Sequence, residues 1–375
     1  MNDIKIVINA LQYCKNGSGI AVNLRELFGP FTEMVNHPCQ LIVPKDSPPF
    51  PCAVTTEIIK APCDYHQGIK RILYQSFVLG EKYCKNALLL TVDSKVPIFL
   101  HKTCRIIPQI TDLAVFRMAD TYKRSRVWLW KMQYRVLCRR AEHFVAISEF
   151  TKKEMTEILG VPKEKIDVIY CSAREDIKRV TDETKLTELR CRYHLPKRFI
   201  LFVGNNNPRK NLARLIRAFD YMKRETTLPH ELVIAGGQGW KFSSDKVLSD
   251  IIAKDKIHFI GYVPDKDIST LYSAAELFVF PTLYEGFGIP VIEAQKCGIP
   301  VLTSNVSALP EVGGDAALYV NPYDESEIKQ GIIKLLNDQT LREEIINKGY
   351  HNAERFSWKS SAEQLNRVVE GIIKE

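Results

Sequence analysis

The stretch Phe280-Pro-Thr-Leu-Tyr-Glu285-Gly-Phe-Gly-Ile-Pro290-Val-Ile-Glu293-Ala294 decides how the rest of the chain is read. A β-rich run at 277–280 stops at Pro281, and a loop punctuated by Gly286 and Gly288 follows. A helical pattern then starts near Pro290, where a first turn tolerates proline. Strand, loop and helix in that order predict one unit of a doubly wound α/β sheet. Glu285 precedes the helix and Glu293 lies about one turn inside it, so both carboxylates are expected to face the crevice beyond the strand's carboxyl end. The two glycines remove side chains there, which lets backbone N–H groups and the positive helix N-terminus approach an anionic or polyhydroxylated ligand.

Two glutamates eight positions apart also describe an ordinary solvated helix face. Their company is more specific: Glu285-Gly-Phe-Gly-Ile-Pro, Val291-Ile-Glu293-Ala294, Gly298-Ile-Pro300-Val-Leu-Thr303-Ser304 and Leu309-Pro310-Glu311. This run resembles the nucleotide-sugar-binding segment of retaining glycosyltransferases of family 4. The resemblance implies an α/β fold of two Rossmann-like doubly wound domains (GT-B) with a deep interdomain cleft. It is strong from 199 to 322, spans nearly the whole chain, and is loose before Leu113.

The second half of the chain begins with its own strand, loop and helix. Residues 199–203 and Gly204 form the strand end, 205–209 the loop, and 211–224 the helical pattern. Arg209 and Lys210 at the helix start place two cations where a diphosphate would meet a helix N-terminus. In isolation such a pair is a surface feature; after Phe-Val-Gly and before Asn-Leu it resembles the family's diphosphate clamp. Strand patterns follow at 231–235, 257–263 and 277–280, and Val263 lies in a segment that resembles the lining of the family's nucleobase pocket. Asp265-Lys-Asp267 has the D-x-D form of a metal site but opens a helical pattern at 268–275, where aspartates cap free N–H groups. No metal site is assigned. Helical patterns at 325–336, 341–355 and 358–373 complete the chain.

The first half alternates strands and helices as well, with strands expected at 4–9, 40–43, 54–59, 87–92, 105–110 and 143–147 and helices at 20–28, 68–83 and 150–159. Alternation of this kind implies a mostly parallel sheet covered on both faces. Gly17 and Gly19 stand in a loop between the first strand and helix and are candidates to approach the donor. No G-x-G-x-x-G occurs, which argues against a dinucleotide oxidoreductase. Where many family members carry His-Asp after a first-domain strand, this chain has Thr111-Asp112. That departure raises a donor lacking the hydroxyl the histidine meets, such as a 6-deoxy sugar or a pentose. It also keeps open a nucleotide-sugar-binding regulatory protein with impaired catalysis.

The domains are expected at 1–178, with a terminal helix at 357–375 returning to the first, and at 179–356. By the resemblance, Arg209, Lys210, Glu285, Asp112 and Thr111 are the candidate catalytic residues. Glu293, Gly286, Phe287, Gly288, Ile289, Val263, Gly17, Gly19 and Gly204 are the candidates for donor binding. Retaining transfer from a nucleoside diphosphate sugar to a glycan or lipid-linked acceptor hydroxyl is implied, with no cofactor and no metal, in polysaccharide or lipopolysaccharide biosynthesis.

Composition bounds these expectations. The 375 residues suffice for about two domains. The ten cysteines form no C-x-x-C pair and no zinc-like spacing, and read as reduced thiols. Residues 1–10 read as a strand rather than a signal peptide, and no apolar run approaches the ~20 residues of a spanning helix. A cytoplasmic protein, peripheral on the inner face of the membrane, is the expectation. Of the net charge of +8, residues 1–180 carry 27 Lys+Arg against 18 Asp+Glu, and the remainder 25 against 26. Residues 123–140 hold seven cations and no acid. Lys131, Arg135 and Arg139 would form one helical stripe, and Val127, Trp130, Tyr134 and Leu137 another. That pattern describes a surface helix or, more sharply, attraction to an anionic membrane surface. No nucleic-acid-binding module accompanies the charge.

Overall fold

The computed structural model describes residues 4–14, 19–93, 96–237 and 247–374. The chain forms two compact units, 1–171 together with 357–375, and 172–356. The expected boundary at 178/179 falls inside the second unit, whereas the return at 357 coincides with the expected one.

The first unit contains a seven-stranded sheet of β1 (Lys5–Asn9), β2 (Cys39–Val43), β3 (Glu57–Lys60), β4 (Ala87–Val92), β5 (Arg105–Ile110), β6 (Phe144–Ala146) and β7 (Ile166–Val168). Its order is β3-β2-β1-β4-β5-β6-β7, and every pairing is parallel. All six residues of β4 are buried, as befits a central strand covered on both faces. The Gly19–Met34 helix continues through Pro30, past the expected end at residue 28. It packs against the terminal helix, Trp358–Lys374. Ser361 of that helix donates a 2.7 Å hydrogen bond to the carbonyl of Tyr170, which ties the chain's end to this unit.

The second unit contains β8 (Phe199–Val203), β9 (Glu231–Ala235), β10 (Ile257–Gly261), β11 (Leu277–Phe280), β12 (Val301–Ser304) and β13 (Leu318–Val320). The order β10-β9-β8-β11-β12-β13 is again wholly parallel. This is the doubly wound arrangement in which the chain runs outward from a central strand, returns, and runs out the other way. The strands β7 and β13, each three residues long at a sheet edge, carry too little pattern to be expected from sequence.

A doubly wound sheet opens a crevice where successive loops leave in opposite directions, beyond the carboxyl ends of the two central strands. In the second unit those strands are β8 and β11. In the first they are β1 and β4.

Candidate nucleotide-sugar site

The loop after β8 carries Arg209 and Lys210 in a short turn, Pro208–Lys210, and ends at Asn211, whose φ of 61° is left-handed. Asparagine tolerates that conformation, and its buried side chain explains the choice here. The Asn211 amide donates to the carbonyls of Pro281 at 2.9 Å and Pro322 at 2.6 Å, fastening this loop to those that follow β11 and β13. The amide of Leu283 donates to the carbonyl of Arg209 at 2.8 Å and closes the seam. Two loops distant in sequence are thereby held side by side at the switch point.

Across that seam Lys210 Nζ lies 2.7 Å from Glu285 Oε1. The two side chains are 12% and 9% exposed, so each charge depends on the other for what water would otherwise supply. Lys210 Nζ also stands 4.7 Å from the centroid of the Phe280 ring, a cation–π arrangement. Glu285 is held by its backbone: Ser307 Oγ accepts its N–H at 3.1 Å, and its carbonyl accepts from Ala308 at 3.3 Å.

Gly288 has a φ of 115°, and a Cβ there would come within 2.7 Å of Leu309 Cδ2. Backbone thus approaches the loop after β12 more closely than any other residue permits. Ile289–Lys296 follows as a helix, with Ile289 half-buried in its first turn. Gly286 is buried, as is Phe287, whose ring meets Phe356 edge-on at 5.5 Å. Phe287 therefore presents backbone, not its ring, as its polar face.

Glu293 belongs to a different network. Tyr272 donates its hydroxyl to Glu293 Oε2 at 2.9 Å. Burial pushes the Glu293 carboxyl above its ordinary range, and the Tyr272 hydrogen bond and the charge of Arg174 only partly offset it. Arg174, itself buried, is bonded to Asp176 Oδ1 at 2.9 Å and Asp265 Oδ2 at 2.7 Å.

Asp265 and Asp267 both lie in the first turn of the Asp265–Ala274 helix, and Asp267 turns its carboxylate to Arg192 rather than to a backbone N–H. Asp265 pairs with Arg174, and both oxygens of Asp267 accept from Arg192 at 2.8 and 2.9 Å. Val263 is buried just beyond β10, two strands from the switch point. Gly204 ends β8, donating to the carbonyl of Ala235 at 2.9 Å, with the Lys210 stem lying over it.

In the first unit Thr111 follows β5. Its N–H and its hydroxyl both donate to Asp93 Oδ1, at 2.9 and 2.6 Å, and Asp93 ends β4 with a φ of 54°. Asp112 Oδ1 accepts from the amide of Ala114 at 3.0 Å, opening a short helical turn. Gly19 is exposed at the start of the Gly19–Met34 helix, with open space where a Cβ would stand. Gly17 lies outside the described residues.

Sequence reading missed Tyr272 and Arg174, which hold or face Glu293, and the clamp made by Asn211. It also passed over Asn206, Asn207 and Thr282. Each carries a buried side-chain oxygen without a partner among the described residues, and all three sit on the two switch loops. Buried acceptors of this kind are costly unless something else satisfies them. The Asn205-Asn206-Asn207 run directly after a strand was the available signal.

Comparison with known proteins agrees with this geometry. The pattern of the family Glycosyl transferases group 1 matches residues 193–352, and that of Glycosyltransferase Family 4 matches residues 101–174. O-antigen chain mannosyltransferase B of Escherichia coli is 32% identical over 269 residues, covering 70% of each chain. Serotype-specific mannosyltransferase WbdA of the same organism is 31% identical over 227 residues. That match covers 60% of this chain and 28% of WbdA, so the chain spans under a third of this relative's length. Anabaena HepE, solved in complex with UDP-glucose, has the same fold with a TM-score of 0.75 at 16% identity, covering 98% of this chain and 100% of that one. The chain belongs to the group 1 glycosyltransferases of family 4 type, built on the GT-B fold.

Proposed function

We propose that the protein moves a sugar from a nucleoside diphosphate donor to an acceptor hydroxyl with retained anomeric configuration, in the assembly of a cell-surface polysaccharide or lipopolysaccharide. The observation that carries this is the Lys210–Glu285 contact at the β8/β11 switch point, a cation and an acid held ready where a donor would enter. Departure of a diphosphate leaves negative charge that must be stabilised as the sugar centre becomes oxocarbenium-like. Arg209 and Lys210 take that charge, with the backbone N–H groups of residues 286–288 assisting. The bond from the anomeric carbon to the diphosphate breaks, the bond to the acceptor oxygen forms on the same face, and the acceptor's proton ends on the departing diphosphate. With two cations meeting the leaving group, the reaction runs without a divalent metal.

Glu285 serves the sugar hydroxyls, and Glu293, positioned by Tyr272, holds the ribose diol. Gly286, Gly288, Ile289, Val263 and Gly204 shape the pocket around them. The names of the Escherichia coli relatives support a mannosyl donor and an O-antigen-like acceptor. Thr111 supports the other reading, a 6-deoxy or pentosyl donor, because its hydroxyl is committed to Asp93. The impaired regulatory alternative has no observation in its favour. A panel of nucleotide sugars followed by mass spectrometry separates these readings. Turnover of mannose nucleotides alone removes the deoxy and pentosyl reading, and no turnover of any donor removes the enzyme. The anomeric coupling constant of the product tests retention, and activity in excess chelator tests independence of metal.

The first unit supports contact with an anionic membrane surface. Among the described residues no helix is long and apolar enough to cross a membrane. The Arg124–Arg140 helix buries Val127, Tyr134 and Leu137, as the stripe predicts, with Trp130 half-buried. Its outer face is not wholly polar: Trp128 is 66% exposed, and Leu129, Met132 and Val136 are also exposed. An apolar strip beside a basic one on a surface helix suits a headgroup region, where Trp is favoured. Sedimentation with vesicles tests this: Trp128→Ser with Leu129→Ser should weaken binding about tenfold, and unchanged binding removes the proposal.

A further inference from the structure

At the amino ends of β11 and β12 the second unit holds a cavity of about 270 Å³. Two helices flank it, Glu183–Tyr193 and Gln339–Ala353, and between them run residues 273–276 and 298–300, which lead into the two strands. Three guanidinium groups line it. Arg190 comes from the first helix, Arg342 from the second, and Arg179 from the segment before the first.

Three neighbouring arginines are neutralised within the protein. Arg174 has Asp265 at 2.7 Å, Arg192 has Asp267 at 2.8 Å and Arg198 has Glu276 at 2.7 Å. Arg179, Arg190 and Arg342 have no carboxylate within 4.0 Å among the described residues. Arg190 and Arg342 are half-buried, and the Nε of each is buried with no hydrogen-bond partner among the described residues. A desolvated cationic donor left open is costly until an acceptor arrives. Arg179 donates from Nη1 to the carbonyls of Cys297 and Gly298, each at 3.0 Å, which fixes its guanidinium beside the cavity. Those carbonyls end the Ile289–Lys296 helix, which carries Glu293.

Two carboxylates also line the cavity and set its charge. Glu276 is spent on Arg198 and on His230 at 2.9 Å. Glu183, exposed in the first turn of its helix, has no cation within 4.0 Å among the described residues. Three arginines less one glutamate leave a local charge of +2. A phosphate dianion matches that charge, and its oxygens accept paired N–H donors from guanidinium forks. The volume lies just below the roughly 300–1,000 Å³ of pockets for larger ligands, so a compact body fits.

The cavity is separate from the site described above. Lys210 and Glu285 meet beyond the carboxyl ends of β8 and β11, and the four residues of β11 alone put about 13 Å between the two edges of the sheet.

We infer that this cavity is a second anion site, which binds a phosphate dianion, free or carried on a compact metabolite, between Arg190 and Arg342 with Arg179 completing the cradle.

Calorimetry of the full chain with inorganic phosphate, at fixed ionic strength, should show saturable binding. Arg190→Gln and Arg342→Gln should each weaken it about tenfold, the loss expected for one charge-assisted partner. Glu183→Gln should tighten it about threefold by removing the one repelling carboxylate, a gain that a loosened fold does not mimic. Arg209→Ala, in the switch-point loops, should leave it unchanged. Glucose 6-phosphate distinguishes the sources: binding at least as tight as inorganic phosphate supports the site with a phosphorylated metabolite, and weaker binding supports it with the free ion. No saturable binding of either probe overturns the proposal, as do Arg190→Gln and Arg342→Gln binding like wild type, or no gain in Glu183→Gln. Binding lost in Arg209→Ala alone also overturns it, because the phosphate then sits at the β8/β11 switch point.

Discussion

The two ends of the second unit's sheet are built from similar residues and behave differently. At the amino ends of β8, β9 and β11, charges are closed into pairs near the surface. Arg198 meets Glu276 through two bonds, at 2.7 and 2.9 Å, and His230 approaches the same carboxylate at 2.9 Å. At the carboxyl ends Lys210 pairs with Glu285, buried at a seam between loops. The same two loops carry oxygens of Asn206, Asn207 and Thr282 that have no partner among the described residues. Among the described residues the amino end also keeps a buried atom without a partner, His230 Nδ1, so the ends differ in how deeply the ion pair is buried and in the loops that carry the open oxygens. An ion pair that is only structural belongs where geometry alone satisfies it; a pair that must admit a diphosphate stands where backbone has been cleared around it.

The largest predicted difference between the ends is catalytic. Lys210→Ala and Glu285→Gln should each lower kcat about 10²- to 10³-fold, the range for removing one preorganised partner of a developing charge. Glu276→Gln at the opposite end should leave kcat within about twofold. Equal losses at both ends would mean that folding rather than chemistry is being measured.

Backbone packing gives the next contrast. Gly236, with a φ of 143°, would place a Cβ 2.0 Å from the carbonyl oxygen of Gly204, so Gly236→Ala must move one strand end against another. Gly298, before β12, has a φ of 65° and would meet the Tyr350 hydroxyl at 1.8 Å and its ring carbon Cζ at 2.6 Å, the outer end of a partly exposed side chain that can swing away. Denaturant unfolding should show a loss of about 2–4 kcal/mol for Gly236→Ala and about 1 kcal/mol for Gly298→Ala.

Acid sensitivity should separate the ends a third way. Burial raises the Glu276 pKa, but the bonds from His230 and Arg198 outweigh it and hold the carboxyl at about 2, below an ordinary 4.5. A depressed folded value means stability present above the unfolded pKa and lost as pH falls from about 4.5 toward 2. Glu276→Gln should remove about 2–3 kcal/mol of stability at neutral pH and flatten that part of the profile. Glu293 has the opposite shift. Its raised value means that the carboxylate is lost at a higher pH than usual on acidification. Donor affinity should therefore fall as pH drops through that raised value, with the slope absent in Glu293→Gln. The expected change is about tenfold across the transition.

Much of this was legible in the sequence where local pattern and packing agree. β9 and β11, buried throughout or nearly so, stood out as apolar runs ended by glycine or proline. That residues 209–210 and 285 lie in loops at strand carboxyl ends was expected from the strand-loop-helix units, whereas the direct 2.7 Å contact of Lys210 with Glu285, 75 residues apart, was not. What escaped was set by tertiary partners. Asp267 looked like a helix cap because no local signal reveals Arg192, 75 residues earlier. Glu293 read as a second ligand for the crevice, but its state depends on Tyr272 and Arg174, which only the fold brings near. On the Arg124–Arg140 helix the basic and buried stripes were visible, whereas exposure of Trp128, Met132 and Val136 required knowing which face the core occupied.

The most direct test is calorimetric titration of a nucleoside diphosphate into wild-type protein, Lys210→Ala and Glu276→Gln. Binding in wild type and Glu276→Gln with equal affinity, and a loss of at least tenfold in Lys210→Ala, is the predicted result. Unchanged affinity in Lys210→Ala would contradict the assignment of the β8/β11 switch point as the donor site.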